Sequence, residues 1–109
     1  MKPTIQLPPY IVAECEYAGG VALGIIAIQE LRKELNLPGL KMAEQAISLE
    51  LHKQQIRILG NISIFAAKAG VDPKEWIVTG YQREKKKHGD LPSYLITFES
   101  INEIESQKP

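Results

Sequence analysis

The side chains best placed for chemistry are five cations and one glutamine. Lys74, Gln82, Arg83, Lys85, Lys86 and Lys87 fall within fourteen positions of one another, and lysine and arginine at such density suit contacts to phosphate. Groups for covalent or metal chemistry are sparse. The two histidines, His52 and His88, have no cysteine, histidine or carboxylate at metal-ligand spacing. No P-loop, dinucleotide glycine motif or nucleophile elbow occurs. Cys15, the single cysteine, stands between Glu14 and Glu16, whose charges disfavour a thiolate, so a buried structural thiol is expected. No catalytic residue, metal site or cofactor is expected from this pattern, and the protein reads as non-enzymatic.

The charge is uneven along the chain. Lys and Arg total 13, as do Asp and Glu, so no net field draws nucleic acid or anionic lipid. Residues 68–88 nevertheless carry Lys68, Lys74, Arg83, Lys85, Lys86 and Lys87 against Asp72, Glu75 and Glu84. Residues 89–109 carry Asp90, Glu99, Glu103 and Glu105 against Lys108. A basic segment beside an acidic tail fits an anion-binding face that the tail screens, and also a solvated helix end whose cations complement the helix dipole.

The elements that must position these groups are mostly helical in period. The expected fold is mainly α, with α+β as the alternative: a single domain, 1–109, of three to four helices with short N- and C-terminal strands. Thr4-Ile5-Gln6-Leu7 alternates before Pro8-Pro9, as a short edge strand would. From about Tyr10 to Leu35, the residues Ala13, Tyr17, Gly20, Gly24, Ile28, Leu31 and Leu35 recur every three or four positions on one helical face. Asn36-Leu37-Pro38-Gly39 ends that helix.

Gly19, Gly20 and Gly24 inside it each weaken a helix by up to about 1 kcal/mol relative to Ala. Small residues let another helix approach closely. The segment is either the central helix of the core or a helix packed on its own fold on one side and on a second subunit on the other. Gly20, Gly24, Ile28 and Leu31 are the expected oligomer interface, and a homodimer is the expected assembly. A break at Gly19-Gly20 is the alternative. The longest uncharged apolar run, Tyr17 to Ile28, is shorter than the roughly 18 residues of a membrane span. Met1-Lys2-Pro3-Thr4 lacks signal-peptide features. A soluble cytoplasmic protein with no membrane partner is expected.

Between Leu40 and Gly70 two periods compete. Ile47-Ser48-Leu49-Glu50-Leu51 alternates as a strand, yet Met42, Ala46, Leu49, Ile56 and Leu59 fit a helix. After His52 the helical period is stronger. Asp72 as N-cap, Pro73 in the first turn and Glu75 then predict a second helix over residues 73–88. Tyr94-Leu95-Ile96-Thr97-Phe98-Glu99 reads as a strand.

Residues 47–88 resemble the ribbon-helix-helix family of DNA-binding proteins, through the alternating 47–51 segment, the Ala-Lys-Ala-Gly helix end and the Val71–Ile77 turn into a further helix. The resemblance implies paired strands in the major groove of double-stranded DNA and a helix start that holds phosphate through backbone N–H groups. Pro73 lacks that N–H, and Asp72 puts a carboxylate there. Ala66, Gly70 and Val71 before a capped helix also resemble a helix-turn-helix, in which residues 73–88 would be the recognition helix. Lys74, Gln82 and Arg83 would then contact bases or phosphates, and Lys85, Lys86 and Lys87 phosphates. These readings make a small DNA-binding or regulatory homodimer the first expectation. A dimeric interaction or adaptor protein without nucleic acid is the second.

Overall fold

Proline opens both long helices. In the computed structural model, which describes residues 2–85 and 92–106, α1 runs Pro9–Leu35 and α2 runs Pro38–Lys68. Proline suits a first helical turn because its missing N–H has no partner to lose there. The carbonyl of Pro8 accepts from the N–H groups of Ile11 and Val12 at 3.1 Å. Two strands follow, β1 (Trp76–Arg83) and β2 (Tyr94–Ser100), and then a short α3 (Ile101–Ser106). The fold is mainly helical with one two-stranded antiparallel sheet.

The chain divides into two compact units, residues 13–58 and residues 1–12 with 59–109. The first is a helical hairpin. Asn36, with φ of 44°, takes the left-handed conformation that Asn tolerates better than most residues, and its N–H still reaches the Arg32 carbonyl at 3.0 Å. So short a link makes its helices antiparallel neighbours. Gln29 Nε2 donates to Glu44 Oε1 at 3.0 Å, and the Arg32 guanidinium pairs with the other Glu44 oxygen. Cys15, Ala18, Gln54 and Ile58 are buried in this unit.

The second unit joins the N-terminal segment, the end of α2, the β-hairpin and α3. Its buried side chains are Leu7, Ile11, Ile62, Ala66, Tyr94 and Phe98. Helix α2 ends in a Schellman motif. The Val71 N–H bonds the Ala66 carbonyl at 3.0 Å and the Gly70 N–H that of Ala67 at 3.2 Å, with Gly70 at φ 102°. In the hairpin Val78 pairs with Phe98 and Tyr81 with Ile96, with a register shift between Val78 and Gly80. The Tyr81 and Tyr94 rings meet edge-on, 5.9 Å between centroids. Beyond the strands, the Glu84 N–H donates to the Ser93 carbonyl, and Ser93 Oγ to Glu84 Oε1, both at 2.9 Å.

Four local expectations need correction or resolution. Helix α1 is continuous through Gly19-Gly20, as tertiary packing overrides weak propensity. Residues 47–51 are helical within α2, so their alternation is coincidental with a helical period. Residues 4–7 form no strand. The helix expected over 73–88 is instead one turn followed by β1, as far as Lys85; residues 86–88 lie outside the described residues. Asp72 does cap, but what it caps is a turn: Asp72 Oδ1 accepts from the Lys74 N–H at 2.9 Å, an Asx-turn. Trp76, Ile77, Val78 and Thr79 then favour extended backbone through their aromatic or branched side chains, and β2 offers them a partner.

Candidate interaction surfaces

Helix α1 has two unlike faces. Cys15 and Ala18 lie on the buried one. Gly24 is nine positions beyond Cys15, about two and a half turns at 3.6 residues per turn, and therefore points the opposite way. The stripe through Gly24 holds Ala13, Tyr17, Gly20, Leu31 and Leu35, all exposed, with Ile28 half-buried. Tyr17 is 66% exposed and the neighbouring Leu23 68%. The four residues expected at an oligomer interface thus share a mostly exposed apolar face. The glycines have no steric reason within the chain: a Cβ built on Gly19, Gly20 or Gly24 meets no atom within 4 Å.

A second exposed row lies on α2. Met42, Leu49 and Ile56 are 70%, 56% and 58% exposed and recur every seven residues, about two turns, with Ala46 between them also exposed. The sequence showed these positions as one helical face but not that the face looks outward. By length and composition α1 could also cross a membrane, a property that the uncharged run of Tyr17–Ile28 alone did not reveal. Glu14 and Glu16 lie near the start of that helix.

The polar residues expected to touch nucleic acid are not gathered on one helix. Lys74 lies in the turn before β1, whereas Gln82 and Arg83 end β1 and Lys85 follows it, all exposed. The six rises of strand from Trp76 to Gln82 put about 20 Å between the two groups. Lys86 and Lys87 lie outside the described residues.

Among the described residues no cluster of His, Cys, Asp and Glu could hold a metal ion. Burial pushes the Cys15 thiol up to about 11, helped by the charges of Glu14 and Glu16. The Glu44 carboxyl is held below its ordinary value, first by the Gln29 hydrogen bond and then by Arg32. Ile5, Leu7, Val12, Glu84, Ser93 and Tyr94 line a shallow cavity of about 250 Å³, whose one carboxylate is engaged by Ser93. Another, of about 170 Å³, lies between the end of α2 and β1 and is lined mainly by apolar residues, among them Ala66, Val71, Trp76 and Phe98.

No protein family, curated protein or solved structure matches the chain.

Proposed function

We propose that the protein acts by binding rather than catalysis, as a self-associating interaction protein whose copies join through the helical-hairpin unit. The observation that carries this reading is the outward apolar stripe of α1 around Gly20 and Gly24. Scattered exposed apolar residues are ordinary, but a continuous stripe marks a surface that is covered in use. Three glycines in one helix weaken it, and no intrachain contact requires them. A second helix approaching closely supplies the missing reason. Light-scattering mass across a dilution series tests the reading: it predicts twice the 12.2 kDa of one chain, falling toward the monomer on dilution.

A second reading, binding of double-stranded DNA by a regulatory homodimer, rests on a separate observation. Gln82, Arg83 and Lys85 are exposed where β1 ends, and a two-stranded β-ribbon is narrow enough for the major groove. In this form the strand end replaces the recognition helix. Duplex affinity that falls steeply with salt, and is lost when Lys85, Lys86 and Lys87 become Glu, supports it. Unmeasurable binding at about 50 mM salt counts against it.

A further inference from the structure

We draw no further inference here: the strongest candidate, the cavity of about 170 Å³ between the end of α2 and β1, lined by Ala66, Val71, Trp76 and Phe98 among others, carries nothing because nothing in the structure shows what fills it.

Discussion

Cys15 and Gly24 stand on opposite faces of α1, one buried to 2% exposure and the other with no atom within 4 Å of a would-be Cβ. The helix therefore buries one side and leaves its glycine-bearing side open. That relationship separates two effects of substitution that usually arrive together. Filling Gly24 improves the helix and, on the proposed account, damages the assembly.

Gly19 provides the control. It is exposed, outside the Gly20–Gly24 stripe, and open around its Cβ position. Gly19→Ala is expected to raise stability by about 0.5–1 kcal/mol in urea unfolding and to leave the association constant unchanged.

Gly70 has the opposite sensitivity. Its φ of 102° is left-handed, and its N–H closes the Schellman motif that ends α2. Gly70→Ala is expected to destabilise by roughly 1–2 kcal/mol, read as a lower urea midpoint at unchanged slope. Space is not the cause, since no atom lies within 4 Å of the added carbon.

Cys15 is expected to resist alkylation in the native state at pH 8 and to react once denaturant unfolds the chain. Its thiol pKa rises from 9.0 to about 11 on folding, so the folded state binds the proton more tightly. The stabilising contribution is complete below pH 9 and is lost as pH climbs from 9 toward 11. Cys15→Ala should remove that part of the alkaline decline, seen by comparing urea midpoints of the two proteins over this range.

Glu44 acts at the other end of the pH scale. Its carboxyl titrates lower when folded than when unfolded, because Gln29 and Arg32 hold the charged form. That contribution is present above the unfolded value and disappears as pH falls through the folded one. Glu44→Gln is expected to be less stable than the parent at neutral pH, and the gap should narrow as the pH falls below 4.5.

Helix ends were more legible in the sequence than helix surroundings. Asn36-Leu37-Pro38 and Gly70 marked their breaks because proline and left-handed backbone act locally. Tyr94–Glu99 read as a strand for the same kind of reason, through its own alternation and β-branched residues. Asp72-Pro73-Lys74-Glu75 misled because the hydrogen bond that caps a helix is also the one that closes an Asx-turn. The outcome depended on Trp76–Val78 finding β2, whose paired residues lie 20 to 24 positions further along the chain. Ile47–Leu51 fitted both periods until the rest of α2 decided it.

The shared face on α1 was legible in part. The spacing of Tyr17, Gly20, Gly24 and Leu31 placed them on one face, yet nothing local said whether the chain covers that face itself. The row on α2 at Met42, Leu49 and Ile56 was missed as a surface for the same reason. The basic residues were grouped by a helix that does not form, and in the fold Lys74 lies in the turn before β1 and Arg83 at its far end.

The central claim is that the open face of α1 is covered by a second chain, and the most direct measurement is the light-scattering mass of the intact protein beside that of Gly24→Leu. The account predicts a dimer of the 12.2 kDa chain and a monomer for the variant at the same concentration, with helical content retained in both. A monomeric parent, or a variant that remains as dimeric as the parent, would contradict it.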